Sequence, residues 1–274
     1  MSLRPPAVSG LFYPASPEAL RDTIHSLFLP LSVSEQDSAS CHAIVSPHAG
    51  YMYSGGIAAQ AFLSLKQRPK PKRLFLLGPS HTLSYSGISL FDGDGYRMPL
   101  GDVRIDRDMV SQLYGSHHDI RFIEAAHQKE HSIEVLLPFL YMIYDGDVPP
   151  IVPLVFGQNS FSFIQEVVSL LDRVSDPDTD AFVVSTDMSH FFSQTIAKQM
   201  DDEAIRLVEE GDWEALFRRS KAREVEFCGI EAMTVVGLLM AKWGLSDWTT
   251  LQYGHSGEVS GDLDSVVGYV GMVC

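Results

Sequence analysis

The chain has 274 residues, of which 45% are hydrophobic, so it is long and apolar enough to bury a sizeable core. Its 20 basic and 35 acidic residues give a formal net charge of −15. This charge argues against a nucleic-acid-binding protein, because binding to phosphates needs a positively charged surface.

No run approaches the roughly 18 apolar residues of a membrane-spanning helix, and the N-terminus lacks the apolar stretch of a secretory signal. The chain has three cysteines, an odd and small number that argues against a disulfide framework and is typical of a reducing compartment. These features predict a cytoplasmic protein without a membrane anchor.

Short apolar strands alternate with helical segments in the first part of the chain. Residues 16–18 (Ser-Pro-Glu) are typical of a helix start, because they supply an N-cap, a first-turn proline and an acid. This helix is predicted to run to about Phe28. Residues 43–47 and 73–81 are predicted strands, with a helix rich in small residues over 55–65 between them.

The alternation continues through the middle of the chain. Residues 131–143 are predicted to form a helix that is kinked or stopped near Pro138. A strand over 150–157 and a helix over 160–174 follow, and residues 181–190 are predicted to form a buried strand and a turn.

Three helical stretches are predicted between about Gln194 and Trp243, followed by two strands that pair with each other. Residues 84–105 are the least regular stretch and are expected to form a β-excursion or loop over the site. No linker is evident, which predicts a single domain over residues 4–274. Its expected class is an α/β layered fold, with a central, largely buried mixed sheet flanked by helices.

Histidine recurs at the ends of the predicted strands. The four residues are His48 in VSPHAG, His81 in LGPSHT, His190 in STDMSH and His255 in YGHSG. Each follows an apolar run and lies in a polar or glycine-containing turn. Because ligands of open α/β sheets bind beyond the carboxyl ends of the strands, we expect these imidazoles to converge on one crevice.

A metal ion is a natural ligand for such a crevice, because neutral imidazole is the commonest metal ligand. Two histidines and one anionic side chain would leave positions open for a substrate. The candidates for the third ligand are Asp187, Glu226, Cys228 and Glu231. Cys228 starts a helical stretch, which is expected to lower the pKa of its thiol. An inert, buried thiol is the alternative for Cys228.

Two further groups of polar residues stand out. Asp187 and His190, three residues apart in TDMSH, are candidates for proton transfer or for orienting a ligand. Glu130 and Glu134 lie on either side of His131 in KEHSIE, which we interpret as the solvent-exposed start of a helix.

Six segments follow one another along the chain: RPPAVSGLFYP, VSPHAGYMYSG, LGPSHT, EHSIEVLLPFL, STDMSH and FCGIEA. They resemble the signature blocks of the Memo family (mediator of cell motility homologues), whose microbial members are also called protein B of the AmmeMemoRadiSam system. The resemblance extends from about Arg4 to Val273. It implies a fold similar to the class III, LigB-type extradiol dioxygenases, which hold non-haem iron with two histidines and a glutamate.

The resemblance also implies site residues. His48, His81 and Cys228 match the metal-binding positions, and Asp187 and His190 match further pocket residues. Iron is the expected ion, with copper and zinc as alternatives. Because cysteine replaces glutamate, dioxygenase activity cannot be inherited from the fold. If oxygen chemistry occurs, we expect His190 to be the acid or base and Asp187 to orient it.

His131 and His255 are further candidates for the wall of this pocket, without an assigned role. The leading hypothesis is a metal-binding protein, an oxidoreductase that acts on an unknown small molecule. The family association adds a radical-SAM protein as an expected partner.

Two other functions remain open. One is a module that kept the fold and binds a phosphopeptide, since animal members of the family are linked to phosphopeptide binding. The other is a hydrolase with Cys228 as nucleophile and His190 or His48 as base.

Overall fold

In the computed structural model, which describes residues 2–31 and 41–274, a nine-stranded mixed sheet lies at the centre. A separate sheet has three strands in the order β1, β5, β6. In chain order the strands are β1 (Leu3–Arg4), β2 (Ala43–Ser46), β3 (Arg73–Pro79), β4 (Ile88–Leu90), β5 (Gly95–Met98), β6 (Gly101–Arg104), β7 (Ile120–Phe122), β8 (Ile151–Phe156), β9 (Asp180–Ser185), β10 (His190–Phe192), β11 (Thr249–His255) and β12 (Val266–Val273).

The helices lie between these strands in the chain. They are α1 (Pro17–Phe28), α2 (Tyr51–Gln67), α3 (Arg107–Tyr114), α4 (Ala125–Gln128), α5 (Leu137–Ile143), α6 (Phe161–Val174), α7 (Gln194–Glu209), α8 (Trp213–Lys221), α9 (Ile230–Lys242) and α10 (Gly257–Ser260). A 3₁₀ helix, Glu134–Leu136, precedes α5. Among the described residues, no helix combines the length and the apolar character needed to cross a bilayer.

The centre of the large sheet consists of β2, β9, β3 and β8, in that spatial order and all parallel. β2, β8 and β9 are buried along their whole length, as expected for continuous apolar strands covered on both faces. β4 pairs antiparallel with β8, and β12 pairs antiparallel with β2, which makes the sheet mixed.

Helices pack against this sheet in two groups. α2 contacts β2, β11 and β12, and it also packs against α1 and α5. α9 contacts β2, β3 and β9, and it also packs against α6 and α8. Aromatic rings connect the layers: Phe62 of α2 stacks on Phe139 of α5, and Phe75 of β3 stacks on Phe182 of β9. The predicted α/β fold, with a central mixed sheet flanked by helices, is confirmed.

Most of the predicted elements are confirmed, with two differences in their boundaries. α1 begins at Pro17 after the predicted cap, because the Ser16 hydroxyl accepts a hydrogen bond from the N–H of Ala19 (3.4 Å). α2 begins earlier than predicted, at Tyr51. The predicted helix over 131–143 divides into the 3₁₀ helix and α5, with Pro138 in the first turn of α5, where its missing N–H is not needed.

Residues 84–105 form the predicted β-excursion. β4 joins the edge of the large sheet beside β8. β5 and β6 form a hairpin whose first strand pairs in parallel with β1. This pairing brings the N-terminal segment beside the chain that precedes α5.

A buried ion pair fixes that N-terminal segment. Arg4 Nη1 lies 2.6 Å from Glu134 Oε2, and the two side chains are only 3% and 0% exposed. The Glu134 carboxylate also accepts hydrogen bonds from Ala7 N (2.7 Å), Val8 N (3.0 Å) and the Tyr13 hydroxyl (2.7 Å). Burying a charge is costly unless it is fully paired, and four donors satisfy this carboxylate.

Arg4→Met is expected to lower the free energy of unfolding by about 3–5 kcal/mol, because it leaves the Glu134 carboxylate buried without its cation. Urea denaturation followed by circular dichroism measures the change. Arg97→Met is the control, because Arg97 and Asp102 form an ion pair whose side chains are 60% and 41% exposed. The control should lose little stability, because solvent screens an exposed ion pair. Equal losses in the two variants would contradict the role given to the buried pair.

Candidate metal centre

The carboxyl ends of the central strands lie at one edge of the sheet, and polar side chains follow them directly. His48 comes after β2, His81 after β3, and Asp187 after β9. Since these strands are parallel neighbours, their loops lie side by side. The ring centroids of His48 and His81 are 5.0 Å apart, so the predicted convergence of these two histidines is observed.

Three imidazole rings form a cluster at this edge, which we call the histidine cluster: His48, His81 and His131. Their centroids are 4.5 to 5.3 Å apart. One nitrogen atom from each ring lies within 4.8 Å of the others, an arrangement that could hold a metal ion. His48 is buried, whereas the side chains of His81 and His131 are 30% and 19% exposed. The cluster is therefore open on one side.

Ser185 determines which nitrogen of His48 is available. The Ser185 hydroxyl donates its proton to the carbonyl oxygen of Ser132 (2.5 Å), so its oxygen accepts the Nδ1 proton of His48 (2.8 Å). The Nε2 atom is then unprotonated. Burial, followed by the neighbouring imidazoles, lowers the pKa of His48 well below its usual range. His48 therefore presents a neutral ring with an unprotonated Nε2 to the cluster.

Glu130 orients His81. Its Oε1 atom accepts the Nδ1 proton of His81 (2.9 Å), and its Oε2 atom accepts the N–H of the same residue (2.6 Å). Burial alone would lower the pKa of His81, but hydrogen bonds with Cys228 and Glu130 raise it to about 10. Nε2 of His81 thus holds a proton that faces Cys228, and a metal ion would displace that proton.

Cys228 lies beside the same rings. Its Sγ atom is 3.3 Å from His48 Nε2 and accepts a hydrogen bond from the N–H of Asp187 (3.1 Å). Burial raises the pKa of the Cys228 thiol, so the lowering predicted from the helix N-terminus is wrong. The reason is that loss of solvent from the thiolate outweighs the favourable effect of the helix end and of His81. A bound cation would restore the thiolate.

No hydrogen bond or ion pair joins Asp187 to His190 among the residues that the structure describes. Asp187 Oδ1 accepts the N–H of His48 (2.9 Å), and its Oδ2 lies 3.9 Å from His48 Nε2. Burial raises the pKa of Asp187 to about 7. The N–H of His190 instead donates to Glu226 Oε2 (3.1 Å), and burial lowers the pKa of the His190 ring. The contacts of Asp187 therefore position His48 and do not provide the expected orientation of His190.

The KEHSIE segment is not the solvent-exposed helix start that we predicted. Glu130 and Glu134 are 2% and 0% exposed, and His131 completes the histidine cluster. The sequence contained one signal of this burial. The residues that follow, Val135 to Ile143, are almost all apolar, which leaves little of the segment for a solvent-exposed face.

His255 lies apart from the described cluster. It ends β11, and its Nε2 atom is 3.9 Å from Glu258 Oε1. Its ring makes none of the contacts that join the other histidines.

A second group of potential ligands lies between α3 and β7 and consists of His117, His118 and Asp119. Its hydrogen bonds argue against a metal ion. His117 Nδ1 accepts the N–H of Asp119 (3.0 Å), so the ring proton is on Nε2, which donates to Glu166 (2.9 Å). Both nitrogens of His117 therefore have hydrogen-bond partners, whereas the partner of His48 Nε2 is the sulfur of Cys228, itself a potential ligand.

A cavity of about 450 Å³ opens onto the histidine cluster. His81, Cys228 and His190 form part of its wall. Residues 84–105 were predicted to lie over the site, but of these only Ser84 lines the cavity. The remaining wall comes from the ends of β3 and β8 and from the connection between α8 and α9. This volume is in the range of small-molecule binding sites.

The chain matches known proteins along almost its whole length. The model of the Memo-like protein family matches residues 4–273. A MEMO1 family protein of Methanosarcina mazei is 35% identical over 275 residues, which cover 100% of this chain and 99% of that protein. MEMO1 family proteins of Methanosarcina barkeri and Saccharolobus islandicus are each 34% identical, with 99% and 97% of both chains covered, respectively.

Solved structures share the fold, and one of them illustrates the likeness. The crystal structure of an uncharacterized protein from Escherichia coli K12 has a TM-score of 0.54 and 13% sequence identity, covering 84% of this chain and 98% of that chain. This likeness concerns the fold alone. The family match and the identity to the archaeal relatives go further, and they show that this chain belongs to the Memo family.

Proposed function

We propose that this protein binds one metal ion between His48, His81 and Cys228 and uses it to act on a small molecule in the adjacent cavity. The observation that carries the proposal is the fixed orientation of two rings. Ser185 and Glu130 accept the Nδ1 protons, so both rings turn Nε2 towards the sulfur atom. Carboxylate and hydroxyl groups behind metal-binding imidazoles commonly have this role.

Iron is the ion implied by the resemblance to the extradiol dioxygenases. Two imidazoles and a thiolate are a softer donor set than two imidazoles and a carboxylate, so copper and zinc compete with iron here. A bound metal ion would supply a Lewis acid with open positions for a substrate. His131 packs against the other two rings and would close that side of the site.

His190 is the proposed acid or base. It lies in the wall of the cavity, and burial lowers its pKa, so its ring is neutral near pH 7 and can accept a proton from a ligand hydroxyl. Glu226 holds the backbone of His190 by accepting its N–H. Asp187 is the proposed positioning residue for His48.

One distance favours a second candidate function, a cysteine-dependent hydrolase. Cys228 Sγ and His48 Nε2 are 3.3 Å apart, which is within reach for a nucleophile and its base. Burial, however, raises the pKa of the Cys228 thiol and lowers the pKa of His48. Both groups are then neutral, and a thiolate–imidazolium pair is disfavoured. This environment supports the metal site over the hydrolase.

Protein purified without oxygen and without a metal-affinity column is expected to contain about one metal ion per chain. His48→Ala and His81→Ala should lose the ion, because each removes one Nε2 donor. Elemental analysis measures the content. His117→Ala is the control, since both nitrogens of that ring are occupied, and it should retain the ion. Full occupancy in both cluster variants would contradict the proposed site.

Glu130→Gln is expected to weaken metal binding by about 10- to 100-fold, because an amide cannot accept all the hydrogen bonds that hold His81. Competition with a chromogenic chelator measures the affinity. Glu166→Gln is the matched control, because Glu166 holds His117 at the same 2.9 Å distance outside the site. A similar change in the two variants would show that Glu130 does not act through His81.

Bound metal is expected to protect Cys228 from iodoacetamide, because a sulfur that ligates a cation is not free to attack. Mass spectrometry of the metal-loaded and metal-free protein measures the alkylation of each cysteine. Cys41 is buried and serves as an internal control in both states. Equal alkylation of Cys228 in both states, with metal loss in His131→Ala, would replace Cys228 by His131 in the ligand set.

A further inference from the structure

Arg223 has a backbone conformation that is unusual for its residue type. Its φ of +60° lies in the left-handed region, directly after α8. The N–H of Arg223 bonds to the carbonyl of Ser220 (3.0 Å), and the N–H of Glu224 bonds to the carbonyl of Arg219 (2.9 Å). These two bonds define a Schellman motif, in which this position is usually glycine because a Cβ is disfavoured there.

Two other helices of this chain end with the same motif and use glycine. Gly211 follows α7 with a φ of +72°, and Gly244 follows α9 with a φ of +76°. Each makes the same pair of backbone hydrogen bonds as Arg223. A fourth helix, α5, ends with this pair at Asp145 (φ +50°), and aspartate enters the left-handed region more readily than arginine. The backbone therefore gives no reason for an arginine at the end of α8. A residue that opposes the local preference in this way often has a functional role.

Arg223 is one of the residues that line the cavity beside the histidine cluster, and it is exposed to solvent. The other charged groups of the lining have partners. Lys221 Nζ lies 2.5 Å from Glu231 Oε1, and Glu226 accepts the N–H of His190. The Arg223 guanidinium makes no hydrogen bond or ion pair with the residues that the structure describes. Arg223 is thus a cation in the cavity wall whose guanidinium has no partner among the described residues.

We propose that Arg223 binds an oxyanion, a carboxylate or phosphate group, of the small molecule that enters this cavity. The proposal rests on the proposed function, because the other end of that molecule would reach His81 and Cys228. The guanidinium fork matches the two oxygens of such a group. A chain with a net charge of −15 repels anions, so a dedicated cation is needed to hold one.

Benzoate and benzamide are suitable probes, because they share a ring and differ in charge. Isothermal titration of the metal-loaded and metal-free wild-type protein is expected to show about tenfold or greater preference for benzoate. Arg223→Gln should remove this preference. Arg223→Lys should restore part of it, because lysine keeps the charge but lacks the fork. Arg218→Gln is the control, because Arg218 is an exposed arginine of α8 outside the cavity lining.

Arg223→Gly separates binding from folding. Glycine removes the disfavoured Cβ at positive φ, so this variant should have a higher urea midpoint than the wild type. It should nevertheless lose the preference for benzoate. A residue that only ends the helix would not combine a gain in stability with a loss of binding.

Equal affinity of the wild type for benzoate and benzamide, or an unchanged preference in Arg223→Gln, would overturn the assignment of Arg223. Metal content tests the proposed function separately. If the protein takes up no metal but prefers benzoate through Arg223, the anion site is supported and the metal centre is contradicted. If the protein binds metal but lacks this preference, the metal centre is supported and the anion site is contradicted.

Discussion

The buried carboxylate of Glu130 is the group on which the rest of the site depends. It accepts hydrogen bonds from N and Nδ1 of His81 and from the backbone N–H groups of His131 and Ser132. One side chain thus joins the loop after β3 to the segment before α5. Since each of these two segments contributes a ring to the histidine cluster, the spacing of the rings depends on this carboxylate.

A second carboxylate holds the same segment from the other side. Glu134 binds the guanidinium of Arg4, which also donates to the backbone carbonyls of His127 and Glu130. The N-terminal segment, Arg4 to Tyr13, therefore holds the cluster in place from behind, although it contributes no potential metal ligand. Because both carboxylates are fully hydrogen-bonded, the segment that carries His131 is fixed at both ends.

The strands, most helices and the convergence of His48 with His81 could be predicted, because they depend on local apolar patterns and on the direction of parallel strands. The burial of Glu130 and Glu134 was not predicted, and the apolar run that follows them was its one signal in the sequence. A charged segment is normally solvated, and its burial depends on Arg4, which is distant in the sequence. The raised pKa of Cys228 could not be predicted either. The sequence shows that a helix begins nearby, but it does not show that the surrounding protein buries the thiol.

The position of β9 in the sheet has a consequence for how this site is made. β9 lies between β2 and β3, although it follows both of them and β8 in the chain. When β2 and β3 leave the ribosome they have no common neighbour, so His48 and His81 cannot yet meet. Ser185, which fixes the His48 ring, is the last residue of β9. The cluster, and any ion site it forms, is therefore complete only once β9 has been inserted between β2 and β3.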